Sequence, residues 1–433
     1  MFVELKDLVL PNQTVAVAIS GGSDSVALLH YIHNARKIYG FNVIAINVEH
    51  GIRGESSISD SNFVKKLCEK WNVKLFSYQV DSVKKANSEK LSLEQAARTL
   101  RYECFYDALN KGLCDKIATA HHLRDNAESV LFNLFRGTGI SGITGIAQNY
   151  ENRIIRPFLN VSKEEIQKYV IENQLEFVTD QTNFDDDYTR NYIRLNILPQ
   201  IEKIFPEFEK SIARFSLIAK TENDYMNEQA NSAVCKENEI VQISLPLHPA
   251  LLARASVIAM KEVGIKKDWE KTHVDAILTL ADAKNGAQIT LKNGVVAIKE
   301  YNKIVFTLPQ KASDEQIPFG IGNFELGNAK VGVNLINRPQ TLKDELFGDL
   351  EKIPQTAVIR FKRDGDVFTK FGGGTKSLGD YLTDKKIPLR LRNFIPLIAN
   401  GNEILVIFGV SISEKIKVGE NSTKIIKFTK EGV

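Results

Sequence analysis

Over the first two hundred residues, short and nearly unbroken apolar runs alternate with segments in which apolar residues recur every three or four positions. The runs 13–19 (QTVAVAI), 42–48 (NVIAINV), 73–79 (VKLFSYQ) and 116–120 (KIATA) have the composition of strands buried on both faces. Between them, residues 24–38, 58–71 and 92–111 are predicted to be helices. In the last of these Leu93, Ala96, Ala97, Leu100 and Cys104 fall at i, i+3, i+4, i+7 and i+11, a stripe that packs on a sheet and leaves the opposite face polar. Ser162 with Glu165 three residues later is a capping box and predicts a further helix start. Strands alternating with helices imply an α/β unit with a parallel, Rossmann-like sheet.

The pattern changes after Pro199 and Pro206. Residues 207–230 read as a long polar helix, so a boundary is expected between 205 and 230. A helix is predicted from Pro249, with Leu251, Leu252, Ala255, Ile258 and Ala259 on one face and Gly264 at its end. A second follows near 269–283. Asn293-Gly294, set between ITLK and VVAI, signals a hairpin. Residues 308–320 are rich in turn formers and are expected to be a linker. Beyond 355 short strands dominate, among them 403–410 and 424–429, with one helix near 376–386. Three domains are therefore expected: 1–205, α/β; 206–310, mainly helical with a hairpin; and 320–433, small and α+β. There is no internal repeat.

With 43% hydrophobic and 25% charged residues in 433, the composition is globular and excludes a disordered tail protein. No apolar stretch reaches the roughly 18 to 20 residues that span a bilayer, and the start Met1–Lys6 lacks a signal-peptide pattern. A cytoplasmic protein without a membrane partner is expected. Cys68, Cys104, Cys114 and Cys235 stand far apart without a CxxC pair, which argues against a disulfide framework, a zinc ribbon or an iron–sulfur cluster. The net charge of +3 divides unevenly. Residues 351–433 hold 15 Lys and Arg against 9 Asp and Glu, a net of +6, and the rest holds 41 against 44, a net of −3. A basic end suits a polyanion such as nucleic acid, although ordinary surfaces show the same bias.

The sharpest motif is Ser20-Gly21-Gly22-Ser23-Asp24-Ser25, placed between the first strand and the first helix. Glycines at such a turn let backbone N–H groups converge, and the helix N-terminus adds partial positive charge, so phosphate is the natural occupant. The competing account is a turn that merely joins strand to helix. No lysine follows the glycines, which excludes a Walker A loop. Asp125 and Glu128 stand three apart at a helix start just past the fourth strand, so both carboxylates share a face at the sheet edge where ligands of open α/β sheets bind. Acids also simply favour helix N-termini. The adjacent His121 and His122 tilt the reading toward function, and a metal site built from His and Asp is the alternative. Glu94, Arg98 and Arg101 lie at i, i+4 and i+7 on the polar helix face, either as a solvated Glu94–Arg98 ion-pair row or, for Arg101, as a grip on phosphate.

These blocks resemble a known family. SGGSDS looks like the PP-loop of ATP pyrophosphatases, the adenine nucleotide α-hydrolase-like fold. His50-Gly51-Ile52-Arg53 with Ser56 and Asp60, the Glu94–Tyr102 helix, His121–Glu128, Arg136-Gly137-Thr138-Gly139, Arg156-Pro157 and Arg190–Arg194 (RNYIR) are similar, in order, to motifs of the tRNA(Ile)-lysidine synthases. The C-terminal RFKRDGD (Arg360–Asp366) and the stretch Lys386–Ile398 resemble them too, less distinctively. Two positions depart from the family: Arg124 stands where many members have an acid, and Ser129 where many have threonine.

The resemblance implies that ATP adenylylates the wobble cytidine of a CAU-anticodon isoleucine tRNA, releasing pyrophosphate, and that the side-chain amine of free L-lysine then displaces AMP. This chemistry calls for Mg on the pyrophosphate, with Asp24 as the candidate catalytic residue that coordinates it directly or through water; because the lysine amine must become neutral, Asp125 or Glu128 is expected to be catalytic too, binding or deprotonating it. ATP is expected on Ser20, Gly21, Gly22, Ser23, Asp24, Ser25, His50, Arg101, Asn191 and Arg194. The tRNA and lysine are expected on His121, His122, Arg98 and Arg136, with tRNA phosphates on Lys362, Arg363, Arg390 and Arg392. Whether the enzyme is a homodimer stays open. A tRNA thiolase, which usually needs paired cysteines, and a catalytically silent tRNA binder are the competing readings; pyrophosphate release separates the second.

Overall fold

The computed structural model describes residues 4–51, 55–178, 189–266, 269–309, 313–337 and 345–431. Ile52 and Arg53 of the HGIR block, and the side chain of Ser56, lie outside the described residues. Two compact units, Met1–Tyr225 and Met226–Val433, make up the chain.

In the first unit a six-stranded sheet is built from β1 (Thr14–Ala18), β2 (Asn42–Glu49), β3 (Lys74–Gln79), β4 (Lys116–Ala118), β5 (Asn149–Tyr150) and β6 (Ile154–Ile155), in the order β3-β2-β1-β4-β6-β5. All neighbours are parallel except β5 on β6. The helices are α1 (Ser23–Tyr39), α2 (Glu55–Lys70), α3 (Ser82–Glu89), α4 (Leu93–Asn110), α5 (Leu123–Phe135), α6 (Ile140–Ile143) and α7 (Lys163–Glu172). Alternation along β1 explains the layering. Val15 and Val17 point into a core shared with α1, α2 and α7, while Ala16 joins Ile44, Ile46 and Ile117 against Phe105 and Ala108 of α4. Because the chain runs from β1 to β2 on one side and enters β4 on the other, the loops after β1 and β4 emerge side by side. This is the topological switch point at which open α/β sheets bind ligands.

Helices α8 (Thr189–Tyr192) and α9 (Leu198–Ile204), joined by a π-helical turn at Ile193–Ile197, lead to α10 (Phe208–Ser232), the long polar helix expected from the sequence. In the second unit α11 (Pro249–Glu262) and α12 (Lys271–Ala281) pack on a sheet of β7 (Val234–Glu237), β8 (Ile240–Ser244), β9 (Gln288–Thr290), β10 (Val296–Glu300) and β11 (Lys303–Thr307). Its order is β7-β8-β11-β10-β9, with antiparallel neighbours. The Asn293-Gly294 hairpin joins β9 to β10, with positive φ at both residues (60° and 72°), and is therefore one corner of a larger sheet.

The segment 308–320, expected to be a linker, contains β12 (Gln316–Pro318), which pairs with the strand Val358–Arg360. Three residues with a proline carry almost no strand signal, yet Pro318 is tolerated because β12 lies at the edge of its sheet. Residues 310–312 of that segment lie outside the described residues. The C-terminal part stacks two sheets through one core that includes Val331, Ile359, Val406 and Phe428. Inside it, Arg360 and Asp366, the ends of the RFKRDGD block, form a fully buried two-point ion pair at 2.7 and 2.9 Å, and Arg360 also donates to the carbonyls of Phe361 and Gly401. That pairing satisfies both charges and makes the block's outer residues a structural clamp.

Candidate active site

Ser20–Gly22 leaves the carboxyl end of β1 and turns into α1. Gly21 has φ +94°, a left-handed backbone that side-chain-bearing residues rarely adopt, and its carbonyl accepts the Val178 N–H at 2.9 Å. The loop is braced by hydroxyls. Ser25 Oγ donates to the Gly22 carbonyl (2.9 Å), accepts the Ser20 N–H (3.2 Å) and sits 3.2 Å from Ser20 Oγ. Gly22 is the N-cap of α1 and contributes no side-chain cap, so the first-turn N–H groups border the adjoining cavity without a capping partner.

That cavity measures about 550 Å³, within the range of small-molecule sites, and reaches from the phosphate loop across β2 and β4 to α4. Ser20, Gly22, Ser23, Asp24, Ser25, His50, Asp60, Arg98, Arg101, His121 and Asp125 all contribute to its wall. Arg101 lies 3.4 Å from His50 Nε2, and Ser82 Oγ 3.3 Å from His50 Nδ1. Arg98 lies against the Tyr102 ring. His121 Nδ1 is 2.9 Å from Thr119 Oγ1.

The loop after β4 presents the carboxylates. Asp125 Oδ2 accepts the His122 backbone N–H (2.9 Å), and His122 Nε2 lies between Asp125 Oδ2 (3.5 Å) and Asp24 Oδ2 (3.8 Å). Arg194 grips Glu128 at 2.7 and 2.9 Å and reaches Asp125 Oδ1 at 3.2 Å. Burial works against the Asp125 charge, but His122, His121, the backbone N–H and Arg194 outweigh it and hold this carboxyl below its usual range. Glu128, more weakly compensated by Arg194, is pushed up by burial.

A PP-loop domain model matches residues 2–201, and a model of the TilS substrate C-terminal domain matches 357–428. The chain is 33% identical to a tRNA(Ile)-lysidine synthase of Caldanaerobacter subterraneus subsp. tengcongensis over 99% of this chain and 96% of the relative. It is also 33% identical to one of Clostridium tetani (98% and 96%) and 30% to one of Bacteroides thetaiotaomicron (98% and 97%). The chain belongs to the tRNA(Ile)-lysidine synthase family.

Its departure from the family pattern at Arg124 has a local account. Arg124 turns to Glu202 (3.4 Å) and to the mostly buried Glu209 (3.5 Å), so its charge is spent on α9 and α10. Of the two readings of this helix face, the Glu94–Arg98 row is not formed: Glu94 pairs with Arg190 at 3.5 Å, and Arg98 lines the cavity. Arg194, expected on ATP, is held by the two carboxylates. Asn191 in α8 and Arg136, 5.3 Å from the Phe132 ring, are outside the cavity wall.

In the second unit Arg390 forms an ion pair with buried Glu300 at 2.9 Å. Arg392 donates to the carbonyls of Ile387 (2.9 Å) and Gly379 (3.2 Å) and to Thr383 Oγ1 (2.9 Å), where it serves as a brace of α13 (Leu378–Asp384). Lys362 lies 3.8 Å from Asp364, and Arg363 bonds Gln316 at 3.2 Å. Sequence reasoning missed two site residues. Asn47, buried, donates to the Ile19 carbonyl at 2.7 Å and fixes the β1 end, while Lys163 places Nζ 2.5 Å from Asp24 Oδ1. Lys163 follows the Ser162 cap directly, so its position, though not its partner, was on view.

His121 is pushed down to about 4 by burial, with Arg156, Arg98 and Arg101 adding to the effect against the opposing pull of Asp125; His50 is pushed down to about 4 by burial and Arg101. Both imidazoles are neutral at pH 7 in the fold but titrate near 6.5 when unfolded, so the unfolded chain binds more protons between pH 6.5 and 4. Their contribution is complete above pH 6.5 and lost as pH falls toward 4. Thermal melts across this window should decline on acidification, and His121→Gln should flatten the slope by up to about 1.4 kcal/mol per pH unit. Raised Glu128 acts in the opposite sense there, so the comparison is between variant and parent; an unchanged slope would show that His121 is not held neutral by the fold.

Proposed function

We propose that this chain joins L-lysine to the wobble cytidine of a CAU-anticodon isoleucine tRNA in two steps within one cavity. The observation that carries the reading is the junction of two chemistries at the switch point: a phosphate loop after β1 and a carboxylate pair after β4, with His122 between Asp24 and Asp125. In the first step the cytidine carbonyl oxygen attacks the α-phosphorus of ATP. An oxygen–phosphorus bond forms, the bond to the bridging oxygen breaks, and pyrophosphate leaves. The loop N–H groups, Arg98 and Arg101 face the charge that develops. In the second step the lysine amine attacks the ring carbon that bears the adenylylated oxygen, a carbon–nitrogen bond forms, the carbon–oxygen bond breaks so that AMP leaves with the oxygen, and the nitrogen loses a proton.

Mg fits the donor set in a limited way. Among the described residues no group of three or more His, Cys, Asp or Glu can hold an ion, so Asp24 would supply one carboxylate and the ATP phosphates the remaining charge. Bound there, the ion would neutralise phosphate charge. Lysine arrives with its amine protonated, and the cation seat formed by Asp125 and Glu128 is already filled by Arg194. The incoming ammonium therefore exchanges with the guanidinium before losing its proton to a carboxylate. Residues 1–205 carry this chemistry; 206–310 and 320–433 hold the tRNA, with Lys362 and Arg363 as the phosphate partners least committed to the fold. Among the described residues no helix is long and apolar enough to cross a membrane. The cytoplasmic assignment rests on the tRNA substrate of the proposed reaction.

The test is mass spectrometry of nucleosides from the CAU-anticodon isoleucine tRNA after incubation with the protein, ATP, Mg and L-lysine, beside a methionine tRNA. Expected is a cytidine heavier by lysine less water, in the isoleucine tRNA only and with ATP only. Pyrophosphate release without the adduct would leave adenylylation standing and remove lysine as the nucleophile.

A further inference from the structure

A phosphate loop that carries its own lysine sets a cation beside the leaving phosphates; this one does not. Between Ser20 and Arg36 there is no Lys or Arg, and Arg36 is thirteen residues into α1, about 20 Å along the helix at 1.5 Å per residue. The only formal charge on the loop is Asp24, which repels a triphosphate. Arg98 and Arg101 approach from α4 across the cavity. On the loop's own side the cation is Lys163, a cavity-wall residue whose Nζ is 2.5 Å from Asp24 Oδ1 and 3.4 Å from Ser23 Oγ.

The position of Lys163 is built. The Ser162 Oγ accepts the Glu165 N–H (3.2 Å) while Glu165 Oε2 accepts the Ser162 N–H (2.9 Å), fixing the first turn of α7. Buried Val161 and Ile166 anchor both sides of that turn, and Tyr169 OH lies 2.9 Å from His30 Nδ1, tying α7 to α1. The backbone is thus held while the four-carbon stem of Lys163 can swing. Its ion pair with Asp24 has both side chains more than a quarter exposed, so it is weak and readily exchanged for a more highly charged anion.

We propose that Lys163 is the phosphate loop's cation, moving from Asp24 to the β- and γ-phosphates when ATP binds and holding the pyrophosphate as it leaves. The inference rests on the adenylylation reading above and adds to it the residue that pairs with the leaving group. No bond is made or broken at Lys163; its ammonium keeps its protons and offsets charge that accumulates on pyrophosphate.

The experiment measures ATP and AMP binding to the full chain at fixed Mg without tRNA, where no turnover occurs, for the parent, Lys163→Met and Lys163→Arg, followed by pyrophosphate release with tRNA. Lys163→Met should weaken ATP binding by about tenfold or more and leave AMP binding unchanged, with kcat for pyrophosphate release falling as well. Lys163→Arg should restore most of the ATP affinity. Equal losses for ATP and AMP would make Lys163 a brace between α7 and α1 and overturn the proposal, as would no loss for either. A parent that makes lysidine alongside such a result leaves the functional reading intact, whereas a parent that releases no pyrophosphate overturns both.

Discussion

The chain carrying Asp125→Asn and Glu128→Gln together is expected to release pyrophosphate from ATP in the presence of isoleucine tRNA and to attach almost no lysine. The two amides keep the shape of the acids and remove their charge. In the native structure those charges are held by Arg194 at 2.7 to 3.2 Å, so the double variant loses both the seat for a lysine ammonium and the acceptor for its proton. Loss of a general base alone costs about 10² to 10⁴ in rate, and loss of charge pairing with the substrate adds to it, so lysidine should fall by at least about 10³. The phosphate loop is untouched because its brace runs through Ser20 and Ser25. Measuring pyrophosphate and lysidine in the same reaction separates the two steps. If both products persist at the parental rate, lysine is seated elsewhere; if both vanish while the melt is unchanged, the pair acts in adenylylation.

What was legible in the sequence was what is local in the chain. The strand, glycine turn and helix around SGGSDS lie within about twenty-five residues, and their periodicity changes from continuous apolar to helical at the turn itself. The capping box at Ser162 and the Asn293-Gly294 turn are likewise short-range chemistry, and both are present. Illegible were partners set by the fold. Lys163 meets Asp24 across 139 residues because α7 packs beside α1, and Arg194 meets Glu128 across 66 because the π-helical turn at Ile193–Ile197 packs beside α5. A charged residue read alone tells nothing of which opposite charge it will find. Arg124 looked like a charge reversal at the site and is instead neutralised by Glu202 and Glu209, whereas Arg390 and Arg392 looked like free basic groups and are tied to Glu300 and to backbone carbonyls. The edge strand at Gln316–Pro318 was hidden for another reason: three residues, one of them proline, are too few to show alternation.

The second large effect is expected from Asp24→Asn, which should abolish both steps where the Asp125 and Glu128 variant abolishes one. Asp24 is not among the hydroxyl contacts that brace the loop; its carboxylate meets Lys163 and Ser23, which line the cavity, and, more distantly, the buried His122. Asparagine therefore preserves the loop and removes one negative charge at the place where phosphate-bound Mg would be held. Without that carboxylate the ATP phosphates alone would have to retain the ion, and the alignment of the phosphates with the attacking oxygen would be lost. Misplacing reacting groups by about 1 Å costs about 10²-fold, and lost charge stabilisation about 10² to 10³ more, so pyrophosphate release should fall by about 10⁴ or beyond. Raising Mg should recover part of the Asp24→Asn activity and none of the activity lost in the Asp125 and Glu128 double variant. This difference in metal response is what assigns the two carboxylate groups to different steps. An Asp24→Asn chain with parental pyrophosphate release at low Mg would remove Asp24 from the chemistry and leave it only as the partner of Lys163.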